Sequence, residues 1–272
     1  MTVPMGLHGL WNGSVIFDGA RVIDGTAPDL LLHCQRLTRH APEMALHSPL
    51  SASDIARLAC EGAAMFAPDA ELYIRPMLFG NGEALFPPAR TEFILQVQEY
   101  PMPRGGFAAC TTSLLRRPSK GVLPVAYKSG WLYLHCLREI ALAKDRGFQE
   151  VVMLNPDGDV VEFAGSNLFY ARNGIVYTPA INGCFLPGVT RRRVIELLRE
   201  MGVELHETRV ELQELFQADE IFSSGNMAKV RPLIRLDDKE LPVGPIYRAV
   251  EQAYRRFADQ WPLSRFREIT NE

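Results

Sequence analysis

Lysine is scarce in this chain. Of 29 basic residues only five are lysines: Lys120, Lys128, Lys144, Lys229 and Lys239. No basic block is dense enough to track a nucleic-acid backbone. The tightest cluster, Arg191 to Arg193, falls inside a helical pattern, and the net charge is −3. No apolar run approaches the roughly 20 residues of a membrane span. The opening "MTVPMGLHGLWNGS" lacks the charged start and apolar stretch of a signal peptide. The five cysteines are scattered, with no C-x-x-C pair. That pattern argues against a disulfide framework or a metal site and for reduced thiols in a cytoplasmic protein. What is present is an ordinary globular composition, 47% hydrophobic and 22% charged. Its 272 residues suffice for two modest domains or one large one.

Periodicity predicts an α+β chain. "GSVIFDGARVID" reads as strand broken at Gly19. "DLLLHCQRLTRHAPEMAL" reads as helix, with Leu30, Leu31, Cys34 and Leu37 on one side. "SASDIARLACEGAAMFA" is a helix capped by Ser51 or Ser53. "ELYIRPMLF" and "TEFILQVQEY" are strands around a Gly/Pro-rich turn. "PMPRGG" is the strongest linker signal. It predicts a small domain over 1–100, a loop over 101–106 and a larger domain over 107–272. There, "FAACTTSLL" and "EVVML" predict strands, and "LYLHCLREIALAKDRG" a helix stopped by Gly147. "DVVEFAGSNLFYAR" reads as strand, kink, strand, and Asn173–Gly174 signals a hairpin before "IVYTP". "TRRRVIELLREMG" predicts a helix capped by Thr190 and ended at Gly202. "ADEIFSSGN" is a strand running into a small-residue turn, and "PIYRAVEQAYRRFADQW" a terminal amphipathic helix.

One of the few lysines, Lys128, stands among apolar neighbours in "VAYKSGWLYLHC". Such a lysine either buries its stem and reaches solvent, or is a desolvated amine able to condense with a carbonyl. "FLPGVTRRRVIELL" offers Gly188, Val189 and Thr190 at a helix N-terminus, an anion site or an ordinary Pro-Gly turn. "FSSGNMAKV" offers further N–H donors from Ser223 to Asn226, or simply a tight loop. Glu162, in "VVEFAGSNLF", is either outward-facing or a buried carboxylate that needs a partner. A buried carboxylate is what keeps a pyridinium nitrogen protonated in pyridoxal phosphate enzymes. One lysine, two phosphate cradles and one carboxylate jointly suggest that chemistry.

Seven segments in order, "GSVIFDGAR", "HCQRLTRHA", "YIRPMLF", "KSGWLY", "EFAGSNLFYARNGIVYTP", "FLPGVTR" and "ADEIFSSGN", resemble the fold-type IV pyridoxal phosphate enzymes, most of all the branched-chain amino acid aminotransferases. The resemblance implies a two-domain, D-amino acid aminotransferase-like fold: a small α/β domain and a larger, barrel-like α/β domain. It implies that Lys128 carries the cofactor covalently, that Tyr133 meets its phenolic oxygen and that Glu162 meets its pyridine nitrogen. Arg36, Val189, Thr190 and Asn226 would hold the phosphate, with Asn226 standing where the family usually has threonine. Tyr73 and the Asn226–Met227 turn would receive the substrate carboxylate. Phe17 would wall the side-chain pocket, and Arg75 would pair with a glutamate side chain. Asn12 replaces an aromatic hydroxyl of the family, and Trp131 and Leu132 occupy the stretch where it often has an asparagine before the tyrosine. The implied activity is transfer of an amino group between a branched-chain L-amino acid and 2-oxoglutarate or another 2-oxo acid. The same residues serve D-amino acid and (R)-amine transaminases and aminodeoxychorismate lyases. A non-catalytic binding protein on this fold would not need Lys128, Tyr133 and Glu162 together. A homodimer with shared active sites is the implied assembly.

Overall fold

A computed structural model describes residues 7–82, 86–111 and 115–265. The chain forms two compact units. The first takes in the chain up to Pro101, Tyr127–Trp131 and the stretch from Phe257 on; the second takes in Met102–Ala126 and Leu132–Arg256.

The first unit carries α1 (His8–Trp11), β1 (Val15–Phe17), β2 (Ala20–Val22), α2 (Leu30–His40), α3 (Ala52–Ala63), β3 (Leu72–Asn81) and β4 (Arg90–Glu99). Ten-residue β3 pairs antiparallel with β4 along one edge. Along the other edge it pairs with β1 and β2, end to end. The strand break expected at Gly19 is there. Phe17 faces Met77 and Ala20 faces Ile74, so Asp18 and Gly19 interrupt the ladder without shifting its register. Helices α2 and α3 cover this sheet through Leu30, Cys34, Leu37, Ile55 and Ala59. Ser51, one of the two expected caps, starts α3 in a capping box with Asp54. On α2, Leu31 is only half-buried, while His33 and Arg36 are buried, because Asp18 pairs with both.

The second unit holds β5 (Phe107–Thr111), α4 (Gly130–Lys144, from Leu132 on), β6 (Glu150–Leu154), β7 (Val160–Phe163), β8 (Asn167–Arg172) and β9 (Ile175–Pro179). It continues through α5 (Val189–Glu200), β10 (Leu205–Thr208), α6 (Leu212–Phe216), β11 (Glu220–Gly225), β12 (Lys229–Leu236), β13 (Lys239–Glu240) and α7 (Pro245–Ala258, to Arg256). Its nine strands form one mixed sheet in the order β10-β9-β8-β11-β12-β5-β6-β7, with β13 beside β12. The two ends of that order meet again, since Val160 N–H donates to Val210 O, just past β10, at 2.9 Å. The sheet therefore curls toward closure, the barrel-like form expected. Period-2 alternation sends Phe107, Ala109, Val152 and Leu154 to one core, and Ala108, Cys110, Val151 and Met153 to another. With both faces buried, these strands read as unbroken apolar runs. The Asn173–Gly174 hairpin forms with both residues at positive φ, 53° and 80°, as its two-residue turn requires.

Two expectations change. Residues 127–131 and the described residues from 257 on belong with the first unit, not the second. Phe17 N–H donates to Lys128 O and Ala27 N–H to Trp261 O, tying both stretches to the first unit's strands and loops. And α5 begins at Val189 with Gly188 as its cap, so Thr190 lies inside the first turn. All five cysteines are buried and none is in a disulfide. No described helix is long and apolar enough to cross a membrane.

Candidate active site

In the first unit the break between β1 and β2 organises the site. Asp18, 1% exposed, accepts from Arg36 Nε (2.7 Å) and Nη2 (2.9 Å), from His33 Nδ1 (2.7 Å) and from the Gly19 N–H (2.7 Å). Burial alone would raise its pKa. The Arg36 guanidinium and the His33 ring outweigh burial and hold the carboxyl well below the usual range. An ionised carboxylate only accepts, so His33 Nδ1 carries the proton. Arg36, expected on a phosphate, is thus buried and fixed by a fork-like pair on one side of its guanidinium.

Phe17, beside Asp18, meets Lys128. Its N–H donates to Lys128 O at 2.9 Å, and Lys128 Nζ lies 5.0 Å from the Phe17 ring centre. Lys128 is half-buried. Tyr73 is buried between two arginines, with Arg21 Cζ 5.5 Å and Arg75 Cζ 5.1 Å from its ring centre. Arg75 also lies 5.9 Å from the Phe17 ring centre. Its Nη1 reaches Gln96 Oε1 at 3.4 Å, while its Nε is buried with no partner among the described residues. Lys128, Phe17, Tyr73 and Arg75 therefore form one connected group.

In the second unit the buried alternative holds for Glu162. It is 3% exposed, in a strand whose every residue is buried. Its carboxylate is ion-paired to Arg117 and accepts from Asn167 Nδ2 at 3.3 Å. Burial opposes the charge on Arg117, yet Glu162 beside it holds the guanidinium above its ordinary pKa. Nearby Glu150, whose carboxylate receives the Val151 and Gly165 N–H groups, is pushed up to about 7, chiefly by burial. Asn167 Nδ2 also donates to Leu186 O at 3.0 Å, linking Glu162 to the loop before α5. A Cβ on Gly188 would be driven into Asn167 Oδ1. Gly188→Ala is expected to cost about 1–3 kcal/mol of stability, readable by urea denaturation. Val189 and Thr190 follow in the first turn of α5, where N–H groups have no intrahelical acceptor. Asn167 faces Ser224 in the β8–β11 ladder. That register brings in the turn after β11, with half-buried Asn226 and exposed Met227. Tyr133 lies in the first turn of α4, half-buried.

Ser224 Oγ and Asn226 Nδ2 are buried and have no partner among the described residues. Two orphaned polar groups beside a helix N-terminus suit a ligand rich in acceptor oxygens, such as a phosphate. The residues present therefore fit pyridoxal phosphate. Sequence reasoning did not single out Asp18, Arg21, Arg117, Asn167 or Lys229. Asp18, between two short strands, and Arg21, inside β2, are charges in apolar company and carried the same signal that exposed Glu162; Arg117, on a loop, carried none.

Residues 15–236 match the class IV aminotransferase family model. The chain is 30% identical over 262 residues to the branched-chain-amino-acid aminotransferase of Escherichia coli K12, across 91% of this chain and 85% of that protein. A crystal structure of an aminotransferase from Brucella abortus bound to pyridoxal phosphate is 40% identical, with a TM-score of 0.92 over 95% of this chain and 94% of that one. The branched-chain aminotransferase of the archaeon Thermoproteus uzoniensis, solved with norvaline, is 28% identical with a TM-score of 0.88, covering 95% and 90%. A curled mixed sheet carrying a buried carboxylate–guanidinium pair and a phosphate-fitting turn defines a fold-type IV enzyme. This chain belongs to the class IV aminotransferases. It is a pyridoxal phosphate-dependent aminotransferase, a transferase of amino groups between small molecules.

Proposed function

We propose that the enzyme moves the amino group of a branched-chain L-amino acid to 2-oxoglutarate or another 2-oxo acid. The observation that carries this reading is the group Phe17, Tyr73 and Arg75, an apolar wall beside a half-buried guanidinium whose buried Nε–H is unanswered among the described residues. Such a wall takes an aliphatic side chain, and Arg75 takes the second carboxylate of glutamate. The names of the relatives support it.

Bound pyridoxal phosphate supplies the electron sink that lets the amino acid Cα lose its proton. Lys128 Nζ would hold the cofactor covalently until the incoming substrate amine displaces it; its freed amine would then take that proton as general base and return it as general acid. Glu162, ion-paired to Arg117 and hydrogen-bonded by Asn167, would hold the pyridine nitrogen protonated. Tyr133 would hydrogen-bond the cofactor's phenolic oxygen. Arg36, the Val189 and Thr190 donors and Asn226 would hold its phosphate. Tyr73 and the Asn226–Met227 turn orient the substrate carboxylate. The resemblance supports a homodimer with shared active sites, and five buried cysteines outside any disulfide support a cytoplasmic setting.

The test is a set of half-reactions. Cofactor-loaded enzyme is mixed separately with L-leucine, L-glutamate, D-alanine and (R)-1-phenylethylamine, and loss of its visible absorption is followed. L-leucine and L-glutamate should bleach it. Bleaching by D-alanine and the (R)-amine alone would overturn the proposal.

A further inference from the structure

The first residue of β12, just past the turn from β11, is a lysine in an expensive position. Lys229 is 3% exposed and has a left-handed backbone, φ 57°. A buried ammonium and a positive φ each cost free energy at a residue other than glycine. Its Nζ donates to Asn226 Oδ1 at 2.7 Å. That bond settles which way the Asn226 amide faces. An ammonium only donates, so the amide end meeting it is oxygen. The other end, Nδ2, is left buried and without a partner among the described residues.

A phosphate needs donors. The threonine that the resemblance leads one to expect at this position has a hydroxyl that rotates to donate. An asparagine can present either end, and its carbonyl end would repel a phosphate oxygen. We propose that Lys229 is a positioning residue. It captures the Asn226 carbonyl, so the amide offers N–H to the cofactor phosphate. This rests on the reading of Asn226 as a phosphate ligand. It accounts jointly for the buried lysine, the amide orientation and the orphaned Nδ2.

The full chain, stripped of cofactor, would be titrated with pyridoxal phosphate and, in parallel, with pyridoxal, which lacks the phosphate. Lys229→Met should raise the dissociation constant for pyridoxal phosphate about tenfold, the order of one charge-assisted hydrogen bond. It should leave that for pyridoxal within about twofold. Lys229→Arg, which like lysine can only donate to Asn226 Oδ1, should recover most of the loss. In an Asn226→Thr background, Lys229→Met should matter less than about threefold, because a hydroxyl needs no orienting. Equal losses for both ligands would overturn the proposal, marking Lys229 as merely structural. So would an undiminished effect in the Asn226→Thr background, or no effect of Lys229→Met. Asn226→Ala separates the two layers. If it leaves pyridoxal phosphate affinity unchanged, the assignment of Asn226 to the phosphate fails, and this proposal with it. If Asn226→Ala weakens binding and Lys229→Met does not, the role of Lys229 alone falls.

Discussion

Lys128→Ala is expected to abolish turnover while leaving the fold in place. The backbone here is pinned by groups the substitution does not touch. Phe17 N–H holds Lys128 O, and Ser129 bridges to Ile16. The side chain is half-buried against the Phe17 ring, so stability should change by less than about 1 kcal/mol. Chemistry should suffer far more. Losing a positioned general base costs roughly 10²–10⁴-fold, and the covalent hold on the cofactor goes with it. Two of the remaining lysines are committed elsewhere: Lys229 to Asn226, and Lys239 to Phe216 O and Ala218 O. Single-turnover rates with L-leucine, read beside the visible spectrum, check the expectation. The spectrum should shift to that of cofactor not bound through lysine. A variant within about tenfold of the parent rate would remove Lys128 from the central role assigned to it.

Much of the fold follows from local pattern. Strands such as β6 declare themselves as apolar runs, and α3 by its serine cap. The elements that were not legible are those whose sequence is not their own explanation. Strand β10, "LHET", is mostly polar and half-exposed; it is a strand because β9 offers it a parallel edge. Strand β12 contains Pro232 and three basic residues, and is held between β11 and β5. Helix α6 is five residues long, too short for a periodicity to appear. The site divides in the same way. Glu162 and Lys128 stand out because each is an ionisable group in apolar company. Their neighbours do not, since pairing is a property of space: Arg117 and Glu162 are brought together only when the loop before α4 meets β7. The unit boundary obeys this too. "PMPRGG" marks where the first unit is left. Nothing in the composition of 127–131 says that those residues return to β1.

Asp18→Asn is expected to cost about 3–5 kcal/mol, the range for removing one member of a buried ion pair. Arg36, 6% exposed, would keep its charge and lose its carboxylate. An asparagine amide would set an N–H against donors that now point at Asp18 Oδ1 and Oδ2. The pH dependence has a definite sign. The Asp18 pKa is lowered in the folded chain. Its contribution is therefore complete above the unfolded carboxylate value near pH ~4 and is lost as pH falls through the folded value. Urea denaturation should show a parent-to-variant gap that is level between about pH 5 and 8 and narrows below about pH 4. A gap that instead closes as pH rises would show that a different group governs it. Because Asp18 also aims Arg36, the same substitution should weaken the hold on the cofactor phosphate. Ligand that binds only the folded form stabilises by RT ln(1 + [L]/Kd). Saturating pyridoxal phosphate should thus raise the variant's stability by less than the parent's at equal cofactor concentration. If the increments match, Asp18 supports the fold alone, and Arg36 reaches the phosphate without it.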